Sequence, residues 1–423
     1  MLRFRRIAVI ALSATVVAAS CASDDTDRPV TDSGFEEPVE SALAEELVAY
    51  ADSDAVLVES VQVPPSPRDD RRPSGLKTFD APVDDLPPPT IDLSVLRSGG
   101  PPPDGIPSID DPSFHRSSTV DYLGENDPVV ALEIDGDARA YPLEILIWHE
   151  LVNDTVAGIP VSVAYCPLCN SVTVYDREIE GRVLEFGVSG LLYNSSLVMY
   201  DRQTETLWSH FTGEPLYGVL SDAELVSRPA TIVGFGTWQA EHPDGLVLNR
   251  DTGRTRDYGI NPYPGYDDVD AQPFLFEGDV DGRFTAMTRV VGVETPDGSA
   301  AAAFPLLELR ERGVVTAELA GEDIVAFWIP GSGSALDGEE VSGGVDVGAT
   351  GVFSPIIDGR TLTFSAETTE AESLITDDQT GSTWNVFGEA TAGELVGTRL
   401  EQLVHIDTFW FAWVTFHPDT AVA

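Results

Sequence analysis

Asp201-Arg-Gln-Thr-Glu-Thr-Leu-Trp208 returns downstream as Asp377-Asp-Gln-Thr-Gly-Ser-Thr-Trp384, and this pair of segments decides how the chain reads. Around the first copy, Leu197-Val-Met-Tyr200 and Thr206-Leu-Trp208 flank a polar turn, which is the composition of a β-hairpin. Outward from it the matches continue in one order. Gly181-Arg-Val-Leu-Glu-Phe186 answers to Gly359-Arg-Thr-Leu-Thr-Phe364, and Trp238 with His242-Pro243-Asp244 answers to Trp413 with His417-Pro418-Asp419. Upstream, Val129-Val-Ala-Leu-Glu133 matches Val290-Val-Gly-Val-Glu294, and Tyr141-Pro142-Leu143 matches Phe304-Pro305-Leu306. Ordered matches at nearly one offset predict a tandem duplication of one module. The expected fold class is α+β, mostly antiparallel strands with a few short helices. The first module is expected over 105–250, a connector over 251–284 and the second module over 285–423.

Within the first module, Val129–Ile134 reads as a strand, Asp135-Gly136-Asp137 as a turn and Ala138–Tyr141 as the returning strand. Pro142 sits at a helix start, with Ile145, Leu146, Trp148, His149 and Val152 on a mostly apolar face. Val161–Tyr165 is a buried strand that delivers Cys166. A second short helix holds Trp238 and ends before His242-Pro243.

The ends of the chain carry a different signal. Arg3, Arg5 and Arg6 precede an apolar run from Ile7 to Ala19, closed by small residues and too short to span a bilayer comfortably. Residues 1–21 therefore read as a signal peptide. Val17-Ala-Ala-Ser-Cys21 resembles a lipobox, which implies cleavage before Cys21 and a lipid on its thiol, with Ala18 standing where Leu is usual. The expected location is extracytoplasmic, held to the cell membrane by that lipid or secreted. Residues 22–104, rich in Asp, Glu and Pro, read as an extended acidic tether, with a short helix at most across Ser41–Tyr50.

Seventy-one acidic residues face 24 basic ones, a formal net charge of -47, and Lys77 is the only lysine. Such a surface repels nucleic acid and anionic lipid headgroups, so neither is an expected ligand. Beyond Cys21 the only cysteines are Cys166 and Cys169, so the chain is not a disulfide scaffold.

The duplication supplies an internal control. Trp208 with Trp384, and His242 with His417, occur in both copies and read as parts of the shared fold. Other residues belong to the first copy alone. His149 lies in Trp148-His-Glu150, against Glu311-Arg-Gly313. Cys166 and Cys169 lie in Tyr165-Cys-Pro-Leu-Cys-Asn-Ser171, and His210 lies where the second copy has Val386. The partner of Met199 falls near Ile375. Two thiols at this spacing can chelate a soft ion, copper first and zinc second, with His149 next and His210 or Met199 completing the shell. They can also close a redox-active disulfide, with Cys166 as nucleophile, or a structural one that pins a turn in a non-catalytic binding module. A thioredoxin-like fold is disfavoured, because Asn170–Tyr175 alternates as a strand where that fold begins a helix. Gly187–Asn194 reads as a loop or a pocket lining.

At Tyr141-Pro-Leu, Trp148-His-Glu, Tyr165-Cys-Pro-Leu-Cys-Asn-Ser171, Gly190-Leu-Leu-Tyr-Asn-Ser195, Arg256-Asp-Tyr-Gly259 and Asn261-Pro-Tyr263 the sequence resembles the prokaryotic family known as domain of unknown function 3179. The resemblance runs over roughly residues 104–420. It draws attention to Cys166 and Cys169 as the family's hallmark and implies no activity. It also places His210 where the family varies.

Overall fold

In the computed structural model, residues 61–62, 86–369 and 372–423 are described. Cys21, the signal segment and the Ser41–Tyr50 stretch lie outside them. The described residues all belong to one compact unit. It is mostly β, in several antiparallel sheets with four short α-helices among the described residues.

The first half opens with β1 (Pro128–Ile134) and β2 (Asp137–Pro142), paired antiparallel around the Asp135-Gly136 turn. Pro142 has fixed, extended φ and ψ and caps α1 (Leu143–His149), where a missing N–H costs nothing. Then come β3 (Leu151–Val156), β4 (Ile159–Cys166) and β5 (Ser171–Asp176), an antiparallel run almost wholly buried. A third sheet holds β6 (Phe186–Tyr193), β7 (Ser196–Asp201) and β8 (Leu207–Ser209). β9 (Thr231–Gly234) returns to β1, α2 (Phe235–Glu241) follows, and β10 (Leu246–Leu248) lies parallel to β2.

The second half runs through the same pairings. β11 (Arg289–Glu294) and β12 (Ala301–Pro305) lead to α3 (Leu306–Arg312), β13 (Val314–Leu319), β14 (Glu322–Ile329) and β15 (Ala349–Ser354). β16 (Phe364–Thr368), β17 (Ser373–Asp377) and β18 (Thr383–Trp384) form its hairpin sheet. β19 (His405–Phe409) returns to β11, α4 (Trp410–Phe416) follows, and β20 (Ala421–Val422) lies parallel to β12. The hairpin is built alike in both halves. The indole of Trp208 donates to the Asp201 carboxylate at 3.1 Å, and that of Trp384 to Asp377 at 3.1 Å. Each carboxylate also accepts from the turn, through Thr204 in the first half and Thr380 with Ser382 in the second.

Three features differ from the sequence reading. Gly187–Asn194 is mostly strand, because its glycines let the chain run close under Pro101 and Tyr200. The described part of the segment read as a tether is packed on the first half. Thr90 N–H donates to Leu216 O, and Arg97-Ser98 pair with Leu191-Leu192. Backbone pairing to a sheet edge needs no side-chain periodicity, so composition concealed it. Finally, the largest core runs through both halves, joining Tyr141, Cys166 and Cys169 to Phe409, Trp410 and Trp413. That shared core sets the thiols beside β19.

Candidate functional site

β4 ends at Cys166 and β5 begins at Ser171, so the Pro167-Leu168-Cys169-Asn170 turn joins two central strands. Asn170 takes positive φ (51°), which Asn tolerates, and its side chain accepts from the Tyr165 hydroxyl at 3.3 Å. The turn is gripped from outside. Thr408 Oγ1 donates to the Cys169 carbonyl at 2.7 Å, the Phe409 N–H donates to it at 3.2 Å, and the Tyr266 hydroxyl donates to the Leu168 carbonyl at 2.9 Å.

Both cysteines are free thiols, 1% and 0% exposed. The Cys169 sulfur lies 2.9 Å from Ser171 Oγ, and its S–H donates to Ser196 Oγ at 3.5 Å. Burial alone would raise the pKa of Cys169. Hydrogen bonds with Cys166, Ser171 and Ser196 outweigh it, and the thiol sits below its ordinary value. Cys166 goes the other way: burial and donation to Cys169 hold its thiol well above the ordinary value. The thiolate of the pair thus belongs on Cys169.

His210, fully buried, backs the serine. Its Nε2 is 2.9 Å from Ser171 Oγ and its Nδ1 is 3.1 Å from Thr173 Oγ1. Burial pushes its pKa down to about 3, so the ring is neutral. With Ser171 donating to sulfur, Nε2–H donates to Ser171 and Thr173 donates to Nδ1. His210 touches the thiols only through Ser171.

His149 faces a different neighbourhood. Nδ1 donates to the Pro107 carbonyl at 2.7 Å, leaving Nε2 to accept from the Tyr258 hydroxyl at 2.7 Å. Tyr258 is met in turn by Thr252 Oγ1 at 2.5 Å. Burial lowers the His149 pKa despite the Pro107 bond, and the charges of Arg256 and Arg254 lower it further. Met199 is buried in β7 opposite Val188 and Trp208, within the same core as the cysteines. The fold therefore brings Cys166 and Cys169 together and sets His210 behind Ser171, while both nitrogens of His149 are occupied elsewhere. Among the described residues no three His, Cys, Asp or Glu side chains gather as a metal-holding group.

Glu150 is the residue that motif reading missed. It caps α1 with φ of 58°, where the second half has Gly313 with φ of 69°. A non-glycine residue there carries backbone strain of order 1 kcal/mol. The substitution of a glycine position by a carboxylate was the available signal. Its carbonyl accepts from Tyr165 N–H at 2.8 Å, beside Cys166. Burial, reinforced by the nearby Cys166, pushes the Glu150 carboxyl up to about 8. Tyr263 and Tyr266 of the connector lie over this region. Burial raises both phenols, Tyr266 to about 12; Glu150 and Cys166 add to it at Tyr263, and the two cysteines at Tyr266. No motif announces Ser196, Tyr266 or Thr408 as partners of the turn, because each arrives from a distant segment.

The family described as Protein of unknown function (DUF3179) matches residues 103–420. No curated protein and no solved structure matches the chain.

Proposed function

The chain belongs to the DUF3179 family, and from that premise we propose that Cys166 and Cys169 form a dithiol that cycles with a disulfide, making the protein a thiol–disulfide oxidoreductase of the cell envelope. One observation carries the reading. Two free, buried thiols flank one turn at a strand end, the Cys169 sulfur reaching the Cys166 carbonyl at 3.9 Å, and the Ser171 and Ser196 hydroxyls beside it favour a thiolate on Cys169. The attacking sulfur is then Cys169 rather than the N-terminal thiol. Its thiolate attacks a substrate disulfide, forms a mixed disulfide and releases one thiolate. Cys166 gives up its proton and attacks the Cys169 sulfur. The second substrate thiol leaves, two electrons have passed to the substrate, and Cys166–Cys169 is a disulfide. The α1 end and the tyrosines of the connector bury the pair, so the substrate's approach requires that connector to yield.

Copper or zinc held by the same two sulfurs is the second reading, since a pair of buried thiols at this spacing is a soft-ligand pair. It needs a third donor to turn toward the sulfurs, from His149, His210 or Met199. Export behind residues 1–21, a lipid on Cys21 and descent of the two halves from one module complete the proposal. The last is supported by the recurring element order and by the paired Asp–Trp hairpins.

Purification under reducing conditions, thiol counting and elemental analysis test it. Metal-free protein in which Cys166 and Cys169 both titrate, and are both lost reversibly on treatment with a mild disulfide, supports the dithiol. Stoichiometric metal lost in Cys166→Ser supports the second reading. An oxidised pair that resists reduction in the folded protein leaves a structural bridge.

A further inference from the structure

Beyond the dithiol, we propose that the groove between Glu214 and Glu294 is a receptor for a guanidinium group, and that its ligand is an arginine side chain presented by a partner polypeptide. The two halves meet twice through matching residues. At one junction Glu133 of β1 and His242, just beyond α2, face Phe387 and Arg399 of the second half. The Arg399 guanidinium bridges two carboxylates, Glu133 and Glu389, at 2.8 Å each. At the other junction the halves exchange roles. Glu294 of β11 and His417, just beyond α4, face Phe211, Glu214 and Glu224 of the first half.

The two junctions correspond position by position. Glu133 lies 4.0 Å from His242, and Glu294 lies 3.6 Å from His417. Phe387 meets the His242 ring with centroids 5.6 Å apart, and Phe211 meets the His417 ring at 6.3 Å. Glu389 follows Gly388 and Glu214 follows Gly213, both glycines with φ of 73°. The loops beyond them are built alike, the Leu395 N–H donating to Ser382 Oγ at 3.0 Å and the Leu220 N–H to Thr206 Oγ1 at 3.3 Å. Each loop then reaches a buried leucine, and the residue just before it is Arg399 in one case and Glu224 in the other.

The second junction thus keeps both carboxylates of the clamp and carries a glutamate where its twin has the arginine. Among the described residues lining the groove there is no Arg or Lys. His417 does not replace the missing charge, because burial pushes its pKa down to about 4 and leaves the ring neutral. Burial, with the Glu214 charge adding to it, holds the Glu294 carboxyl above its ordinary value, as expected of two carboxylates that face each other without a counter-ion. Among the described residues no three such side chains gather closely enough to hold a metal ion. The groove holds about 930 Å³, room for the residues on either side of an inserted side chain. Tyr193 and Phe416, in edge contact with centroids 5.5 Å apart, form part of its wall. Aromatic faces beside paired carboxylates suit a flat, delocalised cation better than an ammonium.

Calorimetry on the full-length protein tests this with the capped peptide acetyl-Gly-Arg-Gly-amide and its citrulline counterpart, which keeps the shape and loses the charge. The expected result is saturable binding of the arginine peptide, weaker by about tenfold for the citrulline peptide and for Glu214→Gln with Glu294→Gln. Glu318→Gln with Glu322→Gln removes the same charge from the exposed β13–β14 hairpin and should leave the affinity unchanged. Glu224→Arg supplies the cation from within, as Arg399 does at the twin junction, and should abolish binding while the thermal midpoint is kept or raised. No binding of the arginine peptide, equal binding of the two peptides, equal losses in the two double variants, or full binding by a folded Glu224→Arg protein each overturns the receptor.

Discussion

The hydroxyl of Thr408 donates to the backbone carbonyl of Cys169 at 2.7 Å, across 239 positions of sequence. The second half, which has no cysteine, therefore holds the turn that carries one. This contact ties the second half to the thiol-bearing turn, and it can be probed directly.

Thr408→Val removes the hydroxyl but leaves the Phe409 N–H on the same carbonyl. The expected loss of stability is about 1 kcal/mol. Because the contact fixes the turn that must close, the reduction potential of the Cys166–Cys169 pair should shift as well. Redox titration beside chemical denaturation separates the two effects. An unchanged potential means that the turn is rigid without Thr408.

Ser171→Ala and Ser196→Ala each remove a hydroxyl beside the Cys169 sulfur that favours its thiolate. Both should raise the apparent pKa of alkylation, so that modification at neutral pH slows while the rate at high pH is retained. Cys166→Ser should leave the remaining thiol reactive, whereas Cys169→Ser should leave a sluggish one. The pH profile of alkylation followed by mass spectrometry reads each outcome.

Stability should fall on both sides of a window between about pH 4.5 and 6.5, for identifiable reasons. Glu150 has a folded pKa of about 8 against an ordinary 4.5, so the folded state keeps a proton that the unfolded state releases. Its contribution is full below pH 4.5 and is lost as pH rises toward 8. His210 has a folded pKa of about 3 against 6.5, so its contribution is full above pH 6.5 and is lost as pH falls toward 3. Glu150→Gln should flatten the alkaline limb, by a few kcal/mol at most (~1.4 kcal/mol per pKa unit). Denaturation midpoints across pH 4 to 9 measure it, and an unaltered limb assigns the loss to another group.

Asp377→Ala should cost about 2 to 4 kcal/mol, because it leaves the Trp384 indole and the Thr380 and Ser382 donors unpaired in a buried turn. Asp201→Ala should cost about as much, through Trp208 and Thr204. At temperatures where the folded state is kept, the Asp377 variant should alkylate as wild type does. Thermal denaturation and thiol reactivity of the two variants check the pair.

The sequence by itself determined the strand-rich class, the ordered recurrence of the Asp–Trp segments and the short helices opening at Pro142 and holding Trp238. These are local matters: alternation, turn residues and proline act within a few positions. It also singled out Cys166 and Cys169, because two thiols three residues apart in a cysteine-poor chain need no contact map to be noticed. The surroundings of those thiols are a tertiary matter. Ser196, His210, Tyr266 and Thr408 reach one turn from four separate segments. The same packing committed His149 to Pro107 and Tyr258, although its presence in the first copy alone, with the thiols, suggested a ligand. Glu150 shows the boundary most plainly. Its letter stands in the sequence opposite a glycine, but only burial beside Cys166 turns an ordinary carboxyl into one that holds its proton to about pH 8.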